Sequence, residues 1–156
     1  MKSAQDLGYD FQDRVQKAIF EIQEFQPAMA HRFVDSKAAG NLISAQPGDH
    51  MLLRPGAAWL IEEKHSTIHE SLRNGLSSMF KDQQPAQHFK WHRAGHPSLV
   101  IFCYQMSMVE FWDGKLVTKK RMEGTRLLKS DQPISRVPLC DLKETLDLIT
   151  RPRGVL

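Results

Sequence analysis

Apolar residues recur at helical spacing near the start of the chain. The positions on this face are Phe11, Val15, Ile19 and Ile22. Their period predicts an amphipathic helix over about residues 10–25, with Asp10 as its candidate N-cap and Pro27 as its stop. The opposite face is polar, so one side of this helix is expected to cover a core.

The same period predicts two more helices. One has Pro85 in its first turn and ends at Gly95. The other follows Pro138, and its apolar positions are Leu139, Leu142, Leu146 and Ile149. This last stripe is either a packing face or part of a dimer interface, and the spacing alone favours neither.

Extended apolar runs occupy the middle of the chain. Residues 46–66, QPGDHMLLRPGAAWLIEEKHS, form two such runs around a Pro-Gly pair and predict a hairpin. Residues 98–104, SLVIFCY, predict a buried strand, and Asp113-Gly114 between apolar stretches predicts a second hairpin. The order of helices, hairpins and strand predicts an α/β fold in which helices flank a central mixed β-sheet.

Length and composition narrow the class of protein. The chain has 156 residues, of which 41% are hydrophobic and 25% charged, so a single globular domain over residues 1–156 is expected. No apolar run is long enough for a membrane helix and the N-terminus lacks a signal-peptide core, so a cytoplasmic protein is expected. Cys103 and Cys140 are expected to be reduced thiols. The net charge of +3 favours a polyanionic partner only weakly.

Charged residues stand at the open end of the first hairpin. If its loop is centred on residues 55–56 and has an even length, Asp49 lies opposite Glu62. Because side chains alternate along a strand, Glu62 and Lys64 share a face and Glu63 points away. Two carboxylates with Cβ atoms roughly 4.5–5.5 Å apart repel each other, so a cation is expected between them.

The residue types of this cluster favour one kind of chemistry. Hard carboxylate oxygens with few His or Cys nearby suit Mg²⁺ or Mn²⁺ rather than Zn²⁺. Such an ion neutralises charge on a phosphoryl oxygen, and Lys64 can orient the attacking water or stabilise the transition state. The cluster therefore predicts phosphodiester hydrolysis. The alternatives are an odd-length loop, which would shift the pairing by one residue, and an exposed strand end where Glu62 and Lys64 are a plain ion pair.

Asp49 within QPGD and the E-x-K of Glu62 to Lys64 within WLIEEKHS resemble the PD-(D/E)xK nuclease superfamily over about residues 8–118. The resemblance implies a restriction-endonuclease-like core, with residues 119–156 as a hairpin and helix extension. Within the superfamily the chain is most similar to RecU-like and archaeal Hjc-like Holliday junction resolvases, which are small, dimeric and often encoded by phages. This resemblance implies a homodimeric, Mg²⁺- or Mn²⁺-dependent endodeoxyribonuclease that cuts four-way DNA junctions in recombination and repair. It also implies that the protein acts in a bacterial, archaeal or phage-infected cell.

The resemblance also implies roles for residues of the hairpin. Asp49 and Glu62 would bind the metal together with the main-chain carbonyl of Glu63. Lys64 would assist the attacking water. The catalytic set is therefore expected to contain two carboxylates and one ammonium.

Two helices are expected to complete this site. In the resolvases a glutamine on the helix after the E-x-K strand places water or phosphate, and Gln84 is the preferred match. The open alternatives are Gln83 and Gln87. The first helix of these enzymes often carries a glutamate where this chain has Gln12, so Gln12 replaces it, or Asp13 or Glu21 serves instead.

Basic residues are expected to contact the DNA backbone without reading its sequence, with an ordinary solvated surface as the alternative. They are Arg32, Lys37, Arg73, Lys81, Lys119, Lys120 and Arg121. His88, His92 and His96 are spaced by four, and a polar DNA-facing or solvated surface is favoured over a zinc site. Two other functions stay open: a repair or restriction-like nuclease acting on flaps, ends or mismatches, and a non-catalytic nucleic-acid-binding protein with the same fold.

Overall fold

The computed structural model describes residues 1–33, 46–81 and 83–153. The helices are α1 (Ala4–Phe25), α2 (Leu72–Met79), α3 (Gln83–Arg93), α4 (Gly114–Met122) and α5 (Leu142–Thr150), with a 3₁₀ turn at Leu139–Asp141. The strands are β1 (Met29–Arg32), β2 (His50–Arg54), β3 (Ala57–Ser66), β4 (Ser98–Tyr104), β5 (Met108–Asp113) and β6 (Ser135–Pro138). No helix in the described part of the chain is both long and apolar enough to span a bilayer.

The six strands form one sheet in the order of the sequence. Neighbouring strands are antiparallel except β3 and β4, which are parallel and are joined through α2 and α3. This arrangement confirms the predicted fold class, an α/β fold with a central mixed sheet flanked by helices. Strand β4 is buried along nearly its whole length, which explains why residues 99–103 within SLVIFCY are all apolar.

Each face of the sheet has its own hydrophobic core. On one face, Phe11 and Ile19 of α1 pack with Ile101 of β4 and Leu146 of α5. The apolar stripe of the last helix is therefore a packing face within this chain. On the other face, α2 and α4 pack on β4 and β5 around residues that include Leu72, Phe80, Trp112 and Val117.

The first hairpin has the predicted register. Its ladder pairs His50 with Ile61 and Arg54 with Ala57 about a two-residue loop. Gly56 in that loop has a φ of +83°, a conformation that residues with a side chain rarely adopt. The two-residue loop excludes an odd-length loop. The charged residues at the open end of the hairpin therefore keep the predicted alternation of faces.

The first helix begins earlier than its hydrophobic period indicates. Ser3 caps α1 by accepting from the backbone N–H of Asp6, whose carboxylate accepts from the backbone N–H of Ser3 in return. Such a capping box satisfies N–H groups that a helix end would otherwise leave unbonded. Asp10 is thus inside the helix, where it pairs with Lys2 rather than acting as the N-cap.

The predicted second hairpin at Asp113-Gly114 is wrong. Asp113 ends β5 and caps α4 by accepting from the backbone N–H of Lys115, so the following residues are helical. The actual turn between β4 and β5 contains Gln105 and Met106, with φ values of 48° and 53°. Residues 119–156 therefore include the end of α4, β6 and α5, and the expected hairpin in this extension is absent from its described part.

Candidate active site

The backbone around β2 and β3 holds Asp49 in place. Its N–H donates to the carbonyl of Ile61 at 3.0 Å, and one oxygen of its carboxylate, Oδ2, accepts from the backbone N–H of Glu63 at 2.7 Å. The preceding Gly48 lies so close to Leu60 that an added Cβ would be 2.8 Å from a methyl carbon of that side chain. A glycine before the aspartate therefore lets this segment approach β3 closely.

Glu62 is buried on the face of β3 that is covered by α3. The ammonium of Lys64 is 2.5 Å from its Oε1, and the side-chain amide of Gln84 donates to the same oxygen. The amide of Gln84 is oriented because its own oxygen accepts from the backbone N–H of Lys81 at 3.1 Å. The structure thus brings together Glu62, Lys64 and Gln84, and of the three candidate glutamines Gln84 is the one that contacts the carboxylate.

The electrostatics distinguish the two carboxylates. Burial and the nearby charge of Glu62 raise the pKa of Asp49 to about 7, against the opposing effects of Lys64, the Glu63 amide and Arg32. Burial alone would raise the pKa of Glu62, but Lys64 and His88 bring it below its ordinary value. Glu62 is therefore the ionised partner of Lys64. A negative charge on Asp49 is poorly compensated by the neighbouring side chains.

Glu63 points to the opposite face of the sheet, as the alternation predicts. Its Oε1 is 2.5 Å from Nδ1 of His50, and both side chains are buried. Burial and the charges of Asp49 and Glu62 raise the pKa of Glu63 well above its usual range. Burial, Arg32 and His31 lower the pKa of His50 to about 4. Both shifts in pKa favour the uncharged forms of these two side chains, which contact each other on the face of the sheet away from Glu62.

The candidate residues of the first helix have different surroundings. Gln12 lines a cavity of about 260 Å³ together with Glu63 and Lys64. Asp13 is exposed and lies 3.8 Å from Arg32. Glu21 lies 3.8 Å from Lys143 in the first turn of α5, so it contacts this helix rather than the hairpin. Of the three, Gln12 is the one that lies beside the E-x-K segment.

His88 belongs to this site, although its sequence pattern predicts a surface position. It is fully buried, and its Nε2 lies 4.0 Å from Oε2 of Glu62. The predicted polar, DNA-facing surface is therefore wrong for this histidine, which packs edge-on against Phe80. The signal that would have found it is its spacing: Gln84 and His88 are four residues apart on one helix, so they share a face.

Several of the basic residues make contacts inside the chain. The guanidinium of Arg73 donates to the carbonyl oxygens of Leu128 and Asp131 and lies over the ring of Trp112 at 5.7 Å. Lys120 lies 3.5 Å from the carboxylate of Asp131. These two predicted DNA contacts have a structural role, since Arg73 holds the segment after α4 against α2 and Lys120 holds it against α4.

The other basic residues are distributed around the molecule. Arg121 donates to the carbonyl of Phe80 at 2.8 Å. Arg32 lies close enough to Asp49 for its charge to affect that carboxylate. Lys81 is exposed beside Gln84, and Lys119 lines a cavity between α3 and α4. Lys37 lies outside the described residues. Of the described residues predicted to contact DNA, Arg32 acts on Asp49 through its charge and Lys81 is linked to Gln84 through its backbone N–H.

The donor set suits a hard divalent cation. Within residues 1–33, 46–81 and 83–153, no group of three or more His, Cys, Asp or Glu side chains converges as a metal site. The available side-chain donors are the carboxylates of Asp49 and Glu62. Mg²⁺ is commonly held by one or two carboxylates with water in its remaining positions, so two are enough. The raised pKa of Asp49 also indicates that positive charge at this place would be stabilising.

Comparisons with known proteins found similarity to solved structures but to no family model. No protein-family model and no curated protein matches the chain. A solved structure that resembles it is that of Hjc from Archaeoglobus fulgidus, a Holliday junction resolvase from an archaeal hyperthermophile. The two chains have 12% sequence identity and a TM-score of 0.43, over 83% of this chain and 88% of the other. At this identity and TM-score the resemblance carries no argument about function.

Proposed function

We propose that this protein is a Mg²⁺- or Mn²⁺-dependent endodeoxyribonuclease that hydrolyses phosphodiester bonds in branched DNA. The observation that carries the proposal is the placement of Asp49 and Glu62 beside Lys64 in a buried corner of the sheet. Burial, and then the neighbouring charge of Glu62, raise the pKa of Asp49 to about 7, so the two carboxylates repel each other in these surroundings. A cation is the partner that would relieve this repulsion.

The carboxylates of Asp49 and Glu62, with the main-chain carbonyl of Glu63, would hold the ion. When bound, the ion supplies Lewis-acid polarisation of a phosphoryl oxygen and neutralises part of its charge. The backbone N–H of Glu63 fixes the Asp49 carboxylate, and Gln84 and Lys64 fix one oxygen of Glu62. Pre-positioned donors of this kind need little rearrangement when a substrate arrives.

Lys64 has the position of a catalytic cation. Its side chain is 15% exposed, so its ammonium is largely buried yet reaches the surface. From there it can donate a hydrogen bond that orients a water molecule against the phosphate. The same charge stabilises the additional negative charge of the transition state. Arg32 adds positive charge nearby, which suits the phosphate backbone of DNA.

A four-way junction cut by a homodimer is the preferred form of the proposal. This choice rests on the resemblance of the QPGD and WLIEEKHS segments to junction resolvases. A junction has two symmetric strands to cut, so two active sites related by symmetry are expected. Flaps, ends and mismatches would be the substrates of a broader repair or restriction-like nuclease with the same site.

The test is cleavage of end-labelled DNA by the purified protein in Mg²⁺ or in EDTA. The substrates are a four-way junction, a flap, a duplex and a single strand. The variants are Glu62→Gln and, as a matched control, Glu70→Gln, which makes the same change at an exposed glutamate. We expect symmetric, Mg²⁺-dependent nicks in the junction, retained in the control and lost by at least about a hundredfold in Glu62→Gln.

Other outcomes would change the conclusion in defined ways. Cutting of flaps or duplex in preference to the junction would replace the resolvase by the broader nuclease. Tight binding of DNA without any cutting would favour a non-catalytic nucleic-acid-binding protein. Equal cutting by wild type and Glu62→Gln would show that the hairpin is not the active site.

A further inference from the structure

Three polar side chains between α3 and β4 form a chain that ends at Glu62. Nε2 of His92 is 2.6 Å from the hydroxyl oxygen of Ser98, and that oxygen is 3.1 Å from Nδ1 of His88. Nε2 of His88 then faces Oε2 of Glu62 at 4.0 Å. His88 and Ser98 are buried, whereas His92 lines the cavity of about 430 Å³ between α3 and α4.

The carboxylate selects the direction of the hydrogen bonds in this chain. An ionised Glu62 accepts hydrogen bonds and donates none, so the nitrogen that faces it must carry the proton. In a neutral His88 the other nitrogen, Nδ1, is then an acceptor and takes the proton of the Ser98 hydroxyl. The Ser98 oxygen in turn accepts from the Nε2–H of His92. Each group donates to the next, and the chain points toward Glu62.

The packing leaves these groups little freedom. Gly114, the first residue of α4, lies against β4 so closely that an added Cβ would be 1.8 Å from the Ser98 hydroxyl oxygen. The ring of His88 is held edge-on against Phe80 with centroids 5.3 Å apart. A buried hydroxyl and a buried imidazole are thus kept at fixed positions behind a carboxylate, which an apolar core would not require.

The two oxygens of Glu62 have different neighbours. Its Oε1 accepts from both Lys64 and Gln84. Its Oε2 faces Nε2 of His88, a buried nitrogen that has no hydrogen-bond partner among the residues that the structure describes. The separation of 4.0 Å exceeds a hydrogen bond by about 1 Å, so donation from the fixed imidazole requires the Glu62 carboxylate to move toward it.

We infer that His88 is a positioning residue for Glu62, and that Ser98 and His92 set the tautomer of its imidazole. Donation from His88 to Oε2 would fix the second oxygen of the carboxylate, as Lys64 and Gln84 fix the first. This role rests on the proposed function, because it matters when Glu62 holds a divalent cation. Groups that orient a metal ligand typically change metal affinity by about 10- to 100-fold when they are removed.

The tautomer can be measured without any activity. Long-range proton–nitrogen NMR spectra of isotope-labelled histidine distinguish an Nε2–H imidazole from an Nδ1–H imidazole. For the wild type we expect the Nε2–H form at His88. In Ser98→Ala, which removes one hydroxyl and leaves the backbone unchanged, we expect a mixture of the two forms. His96→Ala, a change at an exposed histidine beyond the end of α3, should leave the His88 signals in place.

Mg²⁺ affinity, measured by calorimetry with the metal alone, tests the consequence for Glu62. We expect His88→Leu to weaken binding about 10- to 100-fold and Ser98→Ala to weaken it less. His88→Gln, which retains an N–H near the position of Nε2, should recover part of the loss. If His88→Leu does not fold, the comparison of Ser98→Ala with the wild type still decides the question.

The outcomes separate this inference from the proposed function. An Nδ1–H tautomer in the wild type, or Mg²⁺ binding that is unchanged in Ser98→Ala and His88→Gln alike, would overturn the positioning role while the nuclease proposal stands. A wild type that binds no Mg²⁺ would overturn the metal-dependent function and this role with it. The expected tautomer together with graded Mg²⁺ affinities would support both.

Discussion

Asp49→Asn should stabilise the metal-free protein at alkaline pH. Asparagine has the same shape as aspartate, and its side-chain oxygen can still accept from the backbone N–H of Glu63. The substitution removes the charge that burial and Glu62 disfavour. Charge repulsion is therefore relieved without loss of the hydrogen bond that anchors the segment before β2.

The magnitude follows from the pKa of Asp49, which is raised from 3.8 to about 7. Because the folded state binds this proton more tightly than the unfolded state, the stability associated with it is fully present below the unfolded pKa and is lost as the pH rises through the folded pKa. Between about pH 5 and about pH 8 the loss is at most about 3 kcal/mol, at roughly 1.4 kcal/mol per pKa unit. Relaxation of the site reduces this value, so we expect the advantage of Asp49→Asn to grow by about 1–3 kcal/mol over that interval.

Urea denaturation in EDTA at the two pH values measures this difference, with Asp141→Asn as the control at an exposed aspartate. Mg²⁺ at a hundred times its dissociation constant should stabilise the wild type by about 2.7 kcal/mol and Asp49→Asn much less. Equal destabilisation by Asp49→Asn at both pH values would refute the reasoning, since it would show that Asp49 acts as an ordinary hydrogen-bonding residue rather than as a repelled charge.

Two further substitutions test the packing around the site. Gly114→Ala places a Cβ 1.8 Å from the hydroxyl oxygen of Ser98, so we expect a loss of about 1–3 kcal/mol in the free energy of unfolding. Gly8→Ala, in open space on α1, should instead raise the free energy of unfolding by about 0.5–1 kcal/mol. Urea denaturation measures both changes, and equal effects would contradict the close contact at Gly114. Asp147→Asn removes the carboxylate that lies 2.9 Å from the buried guanidinium of Arg54, so we expect the free energy of unfolding to fall by about 2–3 kcal/mol. An unchanged midpoint in urea denaturation would show that this ion pair does not contribute to stability.

The hairpin was predictable because its determinants are local. A Pro-Gly pair between two apolar runs sets the turn, and the alternation along β3 then assigns Glu62 and Glu63 to opposite faces. The choice of Gln84 as the glutamine of the site came from resemblance, and its contact with Glu62, on a different element, was not predicted. The features of the hairpin depend on residues that are close in the chain or share one regular element.

The features that were missed depend on distant contacts. Val117 and Thr118 are β-branched and suit a strand, but the cap at Asp113 and the packing of α4 on β4 make them helical. The real turn has two residues with positive φ and contains no glycine, so it has no local signal. His88 was misassigned because the polar residues around it indicate a solvated helix, whereas Phe80 and Ser98 bury it.

Because side chains alternate along β3, the two faces of the sheet carry different ionisable groups. Glu62 and Glu63 are neighbours in the chain, yet one contacts Lys64 on the side of α3 and the other contacts His50 on the opposite face. A ligand that approaches the α3 side therefore meets the side chain of Glu62 and not that of Glu63. The two glutamates thus form an internal pair for comparison, because the same Glu→Gln change acts on a different face of the sheet at each position.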